Sequence, residues 1–190
     1  MNQLSFLPPD PETDRRLPRE PIARAALIDG NYRRWLKRKW GAGPMVGWGM
    51  LNPSDASGKI DDPTLWRIMG FSYRWGYGGL VVGNIYPFIS ANPQACRRWR
   101  QSIDEDTSAR EAFIRNHEDC AALFGDCALV MAAWGAGADR DDVDRWLEAV
   151  GADRDWHCIG TTADGSPKHP LARGVHRVPD DARPQVWRRA

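Results

Sequence analysis

Four apolar runs punctuate the chain, at 44–51, 80–85, 127–134 and 156–160, each stopped by a polar, glycine- or proline-marked loop. They are continuous rather than alternating, which predicts strands buried on both faces. Segments of helical spacing lie between them. Leu65, Ile68, Met69, Ser72 and Trp75 predict a helix over 63–75, with Asp62 as its N-cap, Pro63 at its first position and glycines 76, 78 and 79 ending it. A short helix over 93–99 follows an Asn92 cap, and a long one over 104–124 ends at Gly125. A fourth, over 139–150, carries acidic residues in its first turn, where they suit the helix dipole. Upstream, two runs flank Asp29-Gly30-Asn31 and predict a β-hairpin over 23–40. Strict alternation in its second strand places Tyr32, Arg34, Leu36 and Arg38 on one face, and Arg33, Trp35, Lys37 and Lys39 on the other. Neither face is purely apolar, so an edge hairpin with exposed basic side chains is expected.

Strands alternating with helices predict an α/β fold in three layers: a mostly parallel four-stranded central sheet, helices on both faces, and an N-terminal β-hairpin. Prolines 8, 9, 11, 18 and 21 mark residues 1–21 as a flexible tail. Residues 22–178 form the single α/β domain, and 179–190 read as a loose C-terminal tail. With 190 residues, the chain can bury a core without disulfide or metal staples.

A net charge of +1 gives no overall pull toward nucleic acid or membrane. The charge is local, however: Arg33, Arg34, Lys37 and Arg38 crowd the hairpin and are candidates for a nucleic-acid backbone contact. The competing interpretation is a solvated face. Cysteines 96, 120, 127 and 158 form no C-x-x-C pair and no zinc spacing with histidine, so free thiols in a reducing compartment are expected, with no metal and no cofactor. No run approaches the roughly 20 apolar residues of a membrane span, and no signal peptide is evident. A cytoplasmic monomer with no membrane contact is the expectation.

Ligands of open α/β sheets bind beyond the carboxyl ends of the strands. Four loops converge there if the topology is parallel: Leu51-Asn52-Pro53-Ser54, Gly83-Asn84-Ile85-Tyr86, Trp134-Gly135, and the later Lys168-His169-Pro170-Leu171. No phosphate-binding loop, dinucleotide fingerprint or nucleophile elbow is present.

These motifs resemble, over Tyr32 to Leu171, the domain-of-unknown-function family sixteen-forty-three of bacterial and phage proteins. That family carries the Leu-Asn-Pro-Ser turn, the Asp-Asp-Pro-Thr helix start, Trp-Gly-Tyr-Gly-Gly, Trp-Gly and His-Pro-Leu in this order. More distantly, Asn52-Pro53, Asn84, Trp134-Gly135 and His169-Pro170 are similar to the ordered motifs of the uracil-DNA glycosylase superfamily. Leu171 stands where those enzymes have serine, and Ala172 and Arg173 follow where the nearer family often has tyrosine.

The distant resemblance implies a nucleobase-recognising protein and an N-glycosidase acting on a base in DNA, RNA or a nucleotide. Asn52 would then position water, Asn84 read the base edge and His169 stabilise the base anion, with Asp61 a general base or loop holder. Pro53, Ser54, Tyr86, Trp134, Gly135, Lys168 and Pro170 would line the substrate site. The alternative is a non-catalytic nucleic-acid or nucleotide binding module with the same pocket. Structurally, Asn52 and Asn84 can equally be turn residues, His169 a structural histidine and Asp62 only a cap.

Overall fold

The computed structural model describes residues 21–54 and 56–190. The tail expected over 1–21 therefore lies almost wholly outside the described residues. Seven strands form one sheet: β1 Ala23–Asp29, β2 Tyr32–Lys39, β3 Met45–Met50, β4 Gly79–Asn84, β5 Leu129–Ala132, β6 Trp156–Cys158 and β7 Gln185–Arg188. Their spatial order is β1-β2-β4-β3-β5-β6-β7. Four helices connect them: α1 Pro63–Arg74, α2 Pro93–Ser102, α3 Thr107–Gly125 and α4 Arg140–Gly151.

The sheet is thus mixed and seven-stranded, not the four-stranded sheet expected. Its middle, β4-β3-β5-β6, is parallel. The hairpin does not stand apart: β2 pairs antiparallel with β4, and β1 forms the outer edge. At the other end, β7 pairs antiparallel with β6, using residues the sequence assigns to a loose tail. A parallel core leaves unpaired backbone groups at both margins, and these additions satisfy them.

Local chemistry explains the elements. Gly30 takes φ +56° while Asn31 stays negative, the pattern of a type II′ hairpin turn. Asp62 caps α1 by accepting from Leu65 N–H at 2.7 Å, and Asp139 caps α4 through Asp141 and Asp142 N–H. In β3, Val46, Trp48 and Met50 pack with Leu65, Ile68 and Phe71 of α1, forming one core layer. The opposite face carries glycines, because a Cβ on Gly47 would press on Phe124 of α3 and one on Gly49 would sit 2.8 Å from Trp146 of α4. That second layer joins Phe113, Phe124, Trp146 and Trp156. Helices therefore cover both faces, and no helix among the described residues is long and apolar enough to cross a membrane.

Candidate functional site

The carboxyl ends of β3 and β4 open into a cleft of about 360 Å³. Asn52 and Ser54 reach it from the loop after β3, Asn84 from the end of β4, and His169 from the segment after β6. The α1 side contributes Asp62, Thr64, Leu65 and Ile68, and β2 contributes Arg33 and Leu36. Asn52, Asn84 and His169 thus share one cleft, although 117 positions separate the first from the last in the numbering.

Each polar group is held in a definite state. Asn52 Nδ2 donates to the Ser90 carbonyl at 2.7 Å and to the Pro53 carbonyl at 3.1 Å. Both donors of that amide are thereby used on backbone, leaving Oδ1 as the acceptor the residue can offer. Asn84 is fully buried; its Oδ1 accepts from Arg33 Nη2 at 3.2 Å, and its Nδ2 has no partner among the described residues. Its backbone carbonyl is pinned by Asn116 Nδ2 at 2.7 Å. His169 Nδ1 accepts from Leu171 N–H at 3.1 Å, which assigns the ring proton to Nε2. Burial lowers the His169 pKa, against the opposing pull of Asp62, so the ring is neutral near pH 7. Asp62 caps α1 with Oδ1 and accepts from Ser54 Oγ with Oδ2 at 2.6 Å.

Arg33 enters this cleft through an irregularity of register. Consecutive β1 residues Leu27 and Ile28 face Trp35 and Arg33, so Arg34 is an extra, bulged residue. Past the bulge, alternation resumes one residue out of step. Arg33 consequently shares the face of Leu36 and Arg38 rather than that of Trp35 and Lys37, contrary to the strict alternation read from the sequence. It is 5% exposed and donates through Nη1 to the Ala56 carbonyl at 2.7 Å. Burial pushes its guanidinium down to about 10, with Asp62 opposing and Arg38 adding to the shift.

The basic stripe expected on the hairpin is therefore absent. Arg38 is fully buried against Asp61, Arg34 is ion-paired with Asp119, and Lys37 is exposed on the face of β2 opposite Leu36 and Arg38. The bulge and these ion pairs send the four cations to different places.

Several other expected site residues lie elsewhere. Asp61 is not in the cleft; its side chain is 3% exposed and bridges Arg24 at 2.7 Å and Arg38 at 2.7 Å. Tyr86 points into the α2–α3–α4 layer, where its hydroxyl donates to Asp142 at 2.8 Å. Trp134 packs against Trp146, Trp156 and Trp187 and, with Gly135, lines a separate hollow. Gly135 still bears on the site: it takes φ +76° and donates to the Pro167 carbonyl at 2.9 Å, tying the loop after β5 to the His169 segment. Lys168 lays its stem over Gly160, Pro170 lines a surface hollow with Pro63 and Arg67, and Pro53 serves through its carbonyl, which accepts from Ser90 N–H at 2.8 Å. Asp62 and Ser90 are cleft residues that the sequence signals only as a cap and a loop serine. The Asp-Pro helix start was visible, but not the direction of its second carboxylate oxygen.

Comparison with known proteins decides the family, since a family profile matches residues 33–171, a span that holds the whole cleft. The chain belongs to the family described as protein of unknown function (DUF1643). No curated protein and no solved structure matches it. Within this DUF1643 protein, the matched span begins at Arg33 and ends at Leu171, the two residues that orient Asn84 and His169.

Proposed function

We propose that the cleft recognises a nucleobase and that the protein is an N-glycosidase acting on a base in a nucleic acid or nucleotide. The observation that carries this reading is the buried, unpartnered Nδ2 of Asn84 in a cleft shared with Asn52 and His169. A fully buried amide hydrogen left unpaired is costly, and a ligand carbonyl would satisfy it. The same four loop motifs, in the same order, resemble the uracil-DNA glycosylase superfamily, which favours this reading over other heterocycle ligands.

In the proposed reaction the sugar C1′–base N bond breaks and its electron pair leaves on the base. Water oxygen bonds C1′, and the base regains one proton, so one water is consumed. Asn52 Oδ1 orients the water, neutral His169 keeps its proton and donates a hydrogen bond from Nε2 to the departing base anion, and the proton the base regains is the one the attacking water loses. Asp62 is the carboxylate of the cleft among the described residues. Both of its oxygens are engaged, by Leu65 N–H and Ser54 Oγ, which favours a second reading: a binding module of the same pocket without turnover.

The test is incubation with oligonucleotides carrying uracil, hypoxanthine and other modified bases, and with the matching nucleotides, scoring released base by chromatography. Release that Asn84→Ala abolishes is the expected result. Saturable binding without release selects the second reading. If no member of the panel is bound or cleaved, both readings fall.

A further inference from the structure

Two neighbouring donors in the cleft have nothing to bond. Arg33 Nε and Asn84 Nδ2 are buried, and among the described residues neither has a hydrogen-bond partner. The two side chains touch, Arg33 Nη2 donating to Asn84 Oδ1 at 3.2 Å. A guanidinium carries donors only, so the amide atom facing it must be the oxygen. That contact takes up one of the two lone pairs of Asn84 Oδ1 and turns this oxygen toward Arg33. Toward a ligand, the pair then offers its unpartnered N–H groups and positive charge. This departs from the mixed donor–acceptor edge expected of Asn84 from its side chain alone.

Charge gives the second half of the case. Arg38 lies on the same face of β2 and has a carboxylate, Asp61, at 2.7 Å. Arg33 has none within ion-pairing distance among the described residues, although it is equally enclosed. Its hydrogen bonds go to a neutral carbonyl and a neutral amide. Burying a cation with no ion-pair partner is unfavourable, Asp62 acting on this one only from beyond ion-pairing distance, and the sheet departs from regular register to bring it in. A residue turned inward against its own solvation, beside an orphaned amide in an open cleft, is suited to an anion that arrives from outside.

We propose that Arg33 and Asn84 form a donor-rich cradle for a delocalised oxyanion of the ligand. This rests on reading the cleft as a binding site and names the chemistry its deep end takes. Two sources supply that chemistry: the ring anion of an oxo-nucleobase, with charge shared between ring nitrogen and carbonyl oxygen, and a phosphate or carboxylate group. In the first case Arg33 holds the electron pair that leaves with the base. A ring amino group at the same place would set N–H against N–H, so cytosine and adenine are disfavoured against uracil and hypoxanthine.

The experiment is calorimetric titration of the full chain with uracil, hypoxanthine, cytosine, adenine, inorganic phosphate and acetate, repeated on Arg33→Gln and Asn84→Asp. At least one oxo-base or oxyanion is expected to bind saturably. Arg33→Gln is expected to weaken it about 10- to 100-fold, the range for one hydrogen bond to a charged group. Asn84→Asp places a carboxylate on Arg33, so it is expected to raise the unfolding midpoint of the free protein while abolishing anion binding. That pairing of effects distinguishes a filled cradle from a misfolded one. Binding of phosphate or acetate but of no base supports the cradle and overturns the nucleobase reading. Base binding that is equal in wild type and both variants supports the nucleobase reading and overturns the cradle. No binding of any probe overturns the cradle as well.

Discussion

Replacing Asp61 separates a structural carboxylate from a catalytic one. Its side chain is 3% exposed and the Arg38 side chain it faces is 0% exposed. Arg38 Nε donates to Asp61 Oδ1 at 2.8 Å, while its other nitrogens reach the carbonyls of Lys37 at 2.9 Å and Ser57 at 2.5 Å. Arg24 closes the other oxygen of Asp61 at 2.7 Å. Together these bonds fasten the loop before α1 to the hairpin. In Asp61→Asn the bonds from Arg38 to the Lys37 and Ser57 carbonyls can persist, but Arg38 becomes a buried cation with no counter-charge. Breaking a buried pair from one side costs about 3–5 kcal/mol. Unit charges about 4 Å apart at an effective dielectric of about 20 give a similar figure of about 4 kcal/mol. Arg24 adds little, being partly exposed and screened. For a chain of this size the loss corresponds to a fall of roughly 6–20 °C in unfolding midpoint. Urea unfolding and thermal circular dichroism measure the loss, and ligand binding is measured well below the lowered midpoint. Binding or turnover is expected to survive there, and the double variant Arg38→Met with Asp61→Leu is expected to recover stability relative to either single change. A loss below about 1 kcal/mol accompanied by abolished turnover would refute the reasoning and return Asp61 to a catalytic role.

Three further outcomes follow from the structure. Burial lowers His117 to about 4 from an ordinary 6.5, with Asp142 opposing and Arg145 adding to the shift. The unfolded chain thus takes up a proton before the folded one, and stability should fall by up to about 3 kcal/mol between pH 6.5 and 4. His117→Phe should flatten that part of a stability-against-pH curve. In Gly83→Ala, the new Cβ would lie 2.6 Å from Cys120 Sγ and 3.1 Å from Phe124, costing about 1–3 kcal/mol in chemical denaturation; adding Cys120→Ala should cost less than the sum of the singles. Tyr86→Phe should lose about 1–2 kcal/mol through its bond to Asp142, with ligand affinity measured by titration unchanged, because Tyr86 lies outside the cleft.

The legible parts of this protein are those set by near neighbours in the chain. Continuous apolar runs specified β3, β4, β5 and β6, since a strand buried on both faces needs no polar alternation. Asp62-Pro63, Asn92-Pro93 and Asp139 marked helix starts, because a cap bonds backbone only two or three residues away. The meeting of Asn52, Asn84 and His169 followed from parallel strands alone, since their carboxyl ends share one side of the sheet.

What the tertiary structure decided depends on partners far along the chain. Gln185–Arg188 carries a weak strand pattern and becomes a strand only because the margin of β6 offers it unpaired backbone groups. Asp61 and Asp62 are adjacent and chemically equal, yet one is sealed by Arg24 and Arg38 while the other caps a helix and lines the cleft. The four cations of the hairpin read as one basic face until a single bulged residue sends Arg33 inward and Asp61 and Asp119 claim two others. Side-chain period in a strand is two residues, so one extra residue reverses every later assignment of face. No local pattern encodes that extra residue; it is fixed by pairing between strands.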